Sequence, residues 1–304
     1  MFKNLIVYAL DADWCDGIAN TAADLLAEKL AAHPLLPVNQ ASMSSSGWTP
    51  FAAFGGPLYS IGKGNFLLSL GHETRMLPAS VINREWKARA AALKDQQGFA
   101  PGRKQLRDLK DLVIDELRPK AFIKSTTTMA LLNLADHLLI VDTPSAKLAE
   151  DLGTVLRADL GDLPGIPFDT KQTPSAAMTG WVATKSAPPF FVVEGSCDLI
   201  ADNPSKSEVK VARCDLADPA ILKMIGDGKI VSKLSLCWRE RVSFVLTDKG
   251  IIKRLRFLAD TDADEGKNGA DQHAEDVFAA SALIFSSEVS LLLADLTAAL
   301  GGAK

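Results

Sequence analysis

The sequence predicts an α+β protein with mixed or antiparallel sheets, from which a helical hairpin protrudes. Three observations predict this class. Helical and strand-like segments follow each other without the regular strand–helix–strand rhythm of a parallel sheet. Two amphipathic helices are separated only by the turn sequence Gly98–Gly102. Residues 229–257 form two apolar arms joined by Thr247-Asp248-Lys249-Gly250, which is typical of a β-hairpin or meander.

Apolar periodicity and turn residues define the elements of the first half of the chain. The predicted elements are, in order, a strand at 2–10, a helix at 18–32, loops around short strands at 41–64, a strand at 65–70, and helices at about 79–97 and 103–118. Pro34 and Pro119 set the ends of two of these helices, because proline cannot continue a helix.

The second half continues with alternating short elements. They are a strand at 137–141, a helix at about 145–158, a loop at 164–176, strand pieces at 181–184, 190–194 and 208–213, a short helix at 217–225, the meander at 229–257, and a helix at about 275–300. The last helix carries one apolar stripe of Val289, Leu292, Leu296 and Leu300. We expect a single unit of 1–304 with three sub-lobes: 1–77 with 125–180 at the centre, 78–124 as a helical tip, and 181–304 as a base.

The helix at 103–118 separates two kinds of residue. Its apolar stripe consists of Leu106, Leu109, Val113 and Leu117, at i, i+3, i+7 and i+11. A different face carries Arg103, Arg107 and Lys110, at i, i+4 and i+7. The hairpin is therefore predicted to pack through one stripe and to present positive charge on another.

Positive charge is concentrated between residues 84 and 124. This stretch holds 11 bases and 6 acids, a balance of +5, whereas the rest of the chain holds 22 bases and 31 acids. The bases are Arg84, Lys87, Arg89, Lys94, Arg103, Lys104, Arg107, Lys110, Arg118, Lys120 and Lys124. Such asymmetry indicates a nucleic-acid partner, and the alternative is a solvated helix face. Residues 229–257 form a second basic segment, with eight bases against two acids.

Other sequence features limit the possible functions. No continuous apolar run approaches the roughly 18 residues of a membrane span, and no signal peptide is recognisable, so we expect a cytoplasmic protein without a membrane partner. The four cysteines are far apart and form no CxxC pair, and each is expected to be a small buried hydrophobe.

Motifs for metal, nucleotide or catalytic chemistry are incomplete. Asp260–Asp264 resembles the opening of a calcium loop, but Glu265 stands where glycine is needed. Gly56 and Gly62-Lys63-Gly64 lack the spacing of a P-loop. The scattered histidines and the missing nucleophile elbow give no reason to expect an enzyme, a metal or a cofactor.

Phe122 follows the second helix of the hairpin and lies between Lys120 and Lys124. It can be a helix-end residue that folds back onto the core, which the residues alone favour. It can also be an exposed aromatic anchor for a partner, since one such residue often dominates an interface.

Short segments spread in order over nearly all 304 residues resemble a known family. They are Phe2-Lys3-Asn4-Leu5-Ile6-Val7-Tyr8, Gly47-Trp48-Thr49-Pro50, Leu77-Pro78, Val81-Ile82, Arg118-Pro119-Lys120-Ala121-Phe122, Ser145-Ala146-Lys147, Ala149-Glu150-Asp151, Leu156-Arg157, Leu163-Pro164, Trp181-Val182, Gly228–Leu234, Trp238, Arg241, Lys253-Arg254-Leu255 and Ala299-Leu300-Gly301-Gly302. None is a catalytic fingerprint, but their order and spread are specific. The chain resembles RdgC, the bacterial recombination-associated protein family.

The resemblance implies a function as well as a fold. RdgC proteins form a closed ring from two subunits, bind double-stranded DNA in its positively lined hole without sequence preference, and restrain RecA-mediated strand exchange. The resemblance places the residue that closes the ring at Phe122 and a basic contact residue at Arg213. The eleven bases of the hairpin region are the DNA contacts that the local charge predicts. Cys214 departs from the polar amide expected there, so a DNA contact by residue 214 does not follow.

The leading hypothesis is thus a non-enzymatic, nucleoid-associated DNA-binding homodimer that restrains RecA. The runner-up is a scaffold or inhibitor that contacts the recombinase directly and does not bind DNA. A DNA hydrolase is a third class, for which the sequence offers no cluster of metal-binding carboxylates.

Overall fold

The computed structural model describes residues 2–20, 23–51, 56–62, 64–201, 203, 206–258 and 271–304. These residues form an α+β fold built on two antiparallel sheets, as the sequence predicted. The first sheet comes from the first 167 residues, and the second comes from residues 191–257.

The first sheet has seven strands. They are β1 (Ile6–Leu10), β2 (Ser44–Trp48), β3 (Leu58–Gly62), β4 (Asn65–Met76), β5 (Phe122–Asn133), β6 (Leu138–Val141) and β7 (Gly165–Pro167). Their order is β2-β4-β5-β6-β1-β7, and β3 pairs with the same edge of β4 as β2 does. Leu68, Leu131, Leu139 and Ile140 are almost completely buried, so the centre of this sheet is apolar.

Eight helices belong to the described chain. They are α1 (Ala12–Ala19), α2 (Ala23–Ala31), α3 (Ala79–Gln97), α4 (Arg103–Leu117), α5 (Ala146–Leu160), α6 (Pro174–Thr184), α7 (Pro219–Gly226) and α8 (Asp271–Ala299). Leu152 and Leu156 of α5 are fully buried with Leu30 of α2 in the core over the first sheet. Their spacing on α5 places one face of the helix on the sheet.

The second sheet has five strands in the order β12-β11-β10-β8-β9. They are β8 (Phe191–Ala201), β9 (Glu208–Ala212), β10 (Lys229–Trp238), β11 (Val242–Thr247) and β12 (Ile252–Phe257). The predicted turn Thr247–Gly250 joins β11 to β12, with Gly250 at a φ of 72°. Trp238 and Phe244 are its largest buried side chains.

The N-terminus and α8 join the two sheets. The backbone of Leu5 exchanges hydrogen bonds of 2.8 and 3.1 Å with Ile252 of β12. The buried hydroxyl of Ser286 on α8 donates to Asn65 Oδ1 of β4 at 2.8 Å. Val289, Leu292, Leu296 and Leu300, the predicted stripe, are all buried. Both sheets therefore share one core.

Two long strands carry the helical hairpin. β4 and β5 pair over their full 12-residue length, from Asn65 opposite Asn133 to Met76 opposite Phe122. Helices α3 and α4 are inserted between the outer ends of these strands and match the predicted helices closely. A 3₁₀ turn, Arg118–Lys120, leads from α4 into β5.

Four predictions of secondary structure were wrong. The sequence offered no strand at 122–133, because residues 122–127 are exposed on both faces and show no alternation. Trp181–Thr184 is the end of α6 rather than a strand, since Thr173 caps a helix that starts at Pro174. The helix at 18–32 is replaced by α1, capped by Asp11, and by α2. The loop at 164–176 contains β7.

Helix α8 also corrects the expectation about apolar length. Within the described residues, its segment Glu275–Ala299 is long and apolar enough to cross a membrane by length and composition, as the buried helix of a soluble protein also can be. A count of uninterrupted apolar residues missed it because serines and a few acids divide the helix. The acidic segment Asp260–Asp264 lies outside the described residues.

Candidate nucleic-acid interface

The helical hairpin is held together mainly by contacts between α3 and α4. Gly98 ends α3 at a φ of 77°, and its N–H donates to the carbonyl of Lys94. The indole N–H of Trp86 donates to the carbonyl of Leu106 across the hairpin at 2.9 Å. No residue of α3 is buried along its fully described length, and in α4 only Val113 is. The hairpin thus has almost no core of its own.

Most of the hairpin bases point into solvent. Nine of the eleven predicted bases are exposed and have no carboxylate within ion-pair distance among the described residues. They are Arg84, Lys87, Lys94, Arg103, Lys104, Arg107, Lys110, Lys120 and Lys124. At 100° per residue, the Arg103/Arg107/Lys110 face lies about 80° around α4 from its apolar stripe. Lys110 also lies over the Trp86 ring, with Nζ 5.9 Å from the ring centre.

The other two hairpin bases are neutralised inside the hairpin. Arg89 of α3 donates two hydrogen bonds to Glu116 of α4, at 3.0 and 2.7 Å. These bonds raise the pKa of Arg89 and lower that of Glu116. Arg118 contacts Asp115 at 2.7 Å. Arg89 and Arg118 are therefore placed to hold the hairpin together, and not to meet a polyanion.

Arg75 anchors the root of the hairpin, and sequence reasoning gave it no role. Its side chain is 7% exposed. Its guanidinium donates to the carbonyls of Arg118 at 3.1 Å, of Val38 at 3.1 Å and of Asn39 at 3.3 Å. A buried cation that donates to three carbonyls through its two terminal nitrogens fixes where α4 ends relative to the sheet. One signal for this role was present in the sequence. Arg75 lies in strand β4, whose other buried positions are occupied by apolar or uncharged polar residues.

Phe122 is exposed at the same root. Its side chain is 81% exposed. The alternative that the residues alone favoured, a side chain folded back onto the core, is therefore wrong. Met76, directly opposite on β4, is 49% exposed, and Ile123 is 44% exposed. Phe122 and Met76 therefore form a small exposed apolar patch on one face of the sheet, whereas Ile123, the next residue of β5, projects from the other face.

The edge of β5 is open beside this patch. Within the described chain β6 pairs only with Ala130–Asn133, so the outer half of β5 has a partner strand on the β4 side alone. Exposed edges of this kind can accept another strand, and Lys124 is the kind of residue that discourages unwanted pairing.

The second basic segment folds into a groove on the five-stranded sheet. This groove, with a volume of about 440 Å³, is lined by Lys210, Lys233, Lys253 and Arg254 together with serines 196 and 235. Lys233 contacts Asp198 at 2.5 Å and Glu208 at 3.7 Å. Arg254 has a φ of 54° where the pairing of β11 and β12 shifts register, and such bulges re-aim side chains.

Arg213 and Cys214 lie after β9, at the second sheet and not on the hairpin. Arg213 is exposed at a φ of 57°. Cys214 is exposed, which corrects the expectation of a buried residue, whereas Cys15, Cys197 and Cys237 are buried as expected. Burial, followed by the nearby Cys214, raises the pKa of the Cys197 thiol to about 11, so this thiol is protonated at neutral pH.

The exposed charged groups of the hairpin are suited to electrostatic contact with an anion. In the part of the chain that the structure describes, no group of three or more His, Cys, Asp or Glu residues could hold a metal ion. What the hairpin offers is a set of unpaired guanidinium and ammonium groups, which replace counterions on a phosphate backbone without reading its bases.

Comparison with known proteins gives the family. Residues 1–303 match the family described as "Putative exonuclease, RdgC". The chain is 36% identical over 304 residues to recombination-associated protein RdgC of Janthinobacterium sp. (strain Marseille), covering 99% of this chain and 98% of that protein. It is 37% identical to the protein of the same name from Dechloromonas aromatica (strain RCB), at 99% and 97% coverage. The predicted resemblance is confirmed, and this chain belongs to the RdgC family.

Proposed function

We propose that this protein is a non-enzymatic, sequence-nonspecific double-stranded DNA-binding protein. Two copies form a ring around the duplex in the cytoplasm, at the nucleoid, and this ring restrains RecA-mediated recombination. The observation that carries the proposal is the hairpin, where nine exposed bases have no carboxylate within ion-pair distance in the described structure. The names of the RdgC relatives, which associate them with recombination, support the same process.

Nonspecific binding follows from the kind of contact that the hairpin can make. Counterion release from the phosphate backbone gives affinity whatever the bases are. Base recognition needs a helix or strand fitted to a groove with side chains aimed at base edges. The hairpin offers long flexible lysines and arginines on several helix faces instead, so we expect AT-rich and GC-rich duplexes to bind within a few-fold of each other.

Duplex binding as a function of salt tests the proposal. Fluorescence anisotropy with a random-sequence duplex, between about 50 and 200 mM salt, gives the slope of log affinity against log salt. The triple variant Arg103→Ala, Arg107→Ala, Lys110→Ala should flatten this slope by about 0.9 for each lost phosphate contact. An unchanged slope would show that this face does not meet DNA.

A matched control separates local contact from net charge. Lys29→Ala, Lys147→Ala and Lys223→Ala together remove the same charge from exposed positions on α2, α5 and α7. This variant should keep nearly the wild-type slope. If both triple variants flatten the salt slope equally, the hairpin face contributes no more to DNA binding than other exposed lysines do.

A strand-exchange assay with RecA tests how inhibition arises. If the protein restrains RecA by covering DNA, the hairpin triple variant loses inhibition in proportion to its lost affinity. If it contacts the recombinase directly, this variant inhibits as well as the wild type does. The same preparations, incubated with labelled duplex and Mg²⁺ or Mn²⁺, should leave the DNA intact; progressive shortening would overturn the non-enzymatic part of the proposal.

A further inference from the structure

An apolar cavity lies where the N-terminus and α8 meet the first sheet. Its volume is about 180 Å³. The side chains that line it come from the N-terminus, the segment after β2, strands β4 and β5, and α8: Phe2, Phe51, Leu67, Met129, Phe278, Ala282 and Phe285. Five of these side chains are buried, and those of Met129 and Phe278 are half-buried. The cavity is therefore set into the shared core of the molecule.

One small residue on α8 opens the cavity. Phe278, Ala282 and Phe285 are spaced i, i+4 and i+7, so they lie on the same face of the helix. Between the two phenyl rings, the single methyl group of Ala282 leaves a space that a larger side chain would fill. The ring of Phe278 is also in contact with the ring of Phe51, and their centroids are 5.7 Å apart.

The first sheet and the N-terminus form the opposite walls. Leu67 of β4 and Met129 of β5 project from the same face of the sheet, because Ser69, two residues after Leu67, lies opposite Met129. The ring of Phe2 packs edge-on against Phe285, with the centroids 5.3 Å apart. Three separate parts of the chain thus meet at one cavity.

The lining decides which kind of molecule the cavity can hold. None of the described lining side chains has a nitrogen or oxygen atom, and the strands and the helix that carry them use their backbone groups in their own hydrogen bonds. A charged or strongly polar molecule would therefore lose its hydration without compensation. Apolar cavities of about 150 Å³ in other proteins take up benzene or xenon. The ligand class that fits is a small neutral apolar molecule.

The aromatic rings and the sulfur atom of the lining favour an aromatic ligand. Four of the seven lining side chains are phenyl rings, and a further ring can pack edge-to-face against them at centroid distances of about 4.5–7 Å. The thioether of Met129 makes favourable contacts with aromatic rings, and its unbranched chain adapts to the shape of a ligand. Because Met129 and Phe278 are half-buried, they form the side of the cavity nearest to solvent, where a ligand can enter.

We propose that this cavity is a binding site for a small neutral molecule with one aromatic ring. Such a ligand supplies the dispersion contacts that the lining atoms lack across the cavity. It contacts the N-terminus, α8 and the first sheet at once, so its binding stabilises the packing of these three parts against each other. The inference does not depend on the DNA contact or on the two-copy assembly of the proposed function, and its failure would leave both unchanged.

Methionine-methyl NMR of the full chain, with toluene as the probe, tests the site. Met129 lines the cavity, whereas Met43, Met76 and Met178 do not. The ring current of bound toluene should shift the methyl resonance of Met129 and leave the other three in place. The shift should saturate with a Kd of about 1 mM or below, as suits a ligand of this size. Unsaturated shifts of all four methyl groups would show nonspecific partitioning and overturn the proposal.

A charged analogue tests the ligand class. Benzoate carries a carboxylate on the same ring, and it should leave the Met129 resonance unchanged because the cavity offers that charge no partner. Binding of benzoate as tight as that of toluene would overturn the assignment to neutral ligands.

A variant that fills the cavity tests the location. Ala282→Leu places a larger side chain in the cavity and should raise the Kd for toluene by about tenfold or more. Ala294→Leu, the same change on the exposed face of α8, is the matched control and should bind toluene as the wild type does. At about ten times its Kd, toluene should raise the Tm of the wild type by about 2 °C and leave that of Ala282→Leu unchanged.

Unchanged toluene binding by a folded Ala282→Leu variant would show that toluene lies elsewhere and would overturn the site. If Ala282→Leu does not fold, the toluene and benzoate titrations of the wild type decide.

Discussion

The helical hairpin and the five-stranded sheet have similar local charge but use it differently. By sequence the hairpin region has a balance of +5 and the segment 229–257 has eight bases against two acids. In the hairpin, two of the eleven bases are paired, and their partners are acids of the hairpin itself. In the sheet, Lys233, Arg239 and Arg241 pair with acids from β8 and α8.

Acids that are distant in sequence decide whether the bases of a segment are paired or free. Asp295 lies 56 residues beyond Arg239 in the chain, yet it receives two hydrogen bonds from that guanidinium and one from Trp238. Charge counted along the sequence treats both regions as polyanion sites. Counted in space, most bases of the hairpin are unpaired, whereas three bases of the sheet segment form ion pairs that join its strands to β8 and to α8.

Removing the shared acid should give the largest effect. Asp295→Ala leaves the N–H of the buried Trp238 and the Arg239 guanidinium without their acceptor, and should lower the free energy of unfolding by about 3 kcal/mol in a denaturant titration. Glu116→Ala, which breaks the exposed pair with Arg89 in the hairpin, should leave the unfolding midpoint unchanged. Equal losses in both variants would remove the distinction between the two regions.

Substitution of Phe122, the exposed aromatic at the root of the hairpin, should change the assembly and leave the stability of the fold unchanged. Phe122→Ala should keep the wild-type Tm, because the side chain is 81% exposed in the single chain. It should weaken ring closure by about 2 kcal/mol, seen as faster loss from a closed DNA circle. Phe99→Ala, at a position that is 62% exposed in the hairpin turn, is the control and should not change retention. Unfolding of Phe122→Ala would show that Phe122 is needed for the fold.

The unpaired bases of the sheet groove, Lys253 and Arg254, should contribute less to duplex binding than those of the hairpin. Lys253→Ala with Arg254→Ala should flatten the salt slope of duplex binding by no more than about 1.8, which is less than the hairpin triple variant. Asp198→Asn with Lys233→Gln keeps the net charge and should not alter the slope. A sheet effect larger than that of the hairpin would move the main DNA contact to the groove.

The smallest effect should be seen at alkaline pH. The hydrogen bond to Asp198 raises the pKa of Lys233. A lysine whose pKa is raised by folding contributes its full stabilisation at pH values below its unfolded pKa of about 10.4. This contribution is lost as the pH rises through the pKa of the folded state. The difference in the free energy of unfolding between wild type and Lys233→Met should therefore become smaller above about pH 10.4. A difference that stays constant would show that the ion pair does not contribute.

Local signals made the hairpin predictable. The boundaries of α3 and α4 follow from Gly98, Gly102 and Pro119, which act on the residues next to them. The buried stripe of α8 follows likewise from its apolar spacing. Among the candidate site residues, the cluster of eleven bases and the separation of Arg103, Arg107 and Lys110 from the apolar stripe of α4 could be predicted from the sequence. Which two of the eleven are paired became visible only in the structure.

The remaining features depend on contacts between distant parts of the chain. Strand β5 has no pattern of its own in residues 122–127, and its form is imposed by pairing with β4. The role of Arg75 depends on carbonyls that arrive from residues 38, 39 and 118. The exposure of Phe122 depends on where the sheet ends. No periodicity or composition carries this information.

The pairing of Met76 with Phe122 allows the helical hairpin to be deleted as one unit. In an antiparallel pair the Cα atoms of opposed residues lie about 4.5–5.5 Å apart, so the chain leaves the sheet and returns to it at nearly the same point. A deletion of residues 78–117, with Leu77 joined to Arg118 through a short glycine linker, would shorten a β-hairpin without opening the core. The surface proposed to hold DNA could thus be lost, lengthened or exchanged between relatives while the rest of the molecule continues to fold.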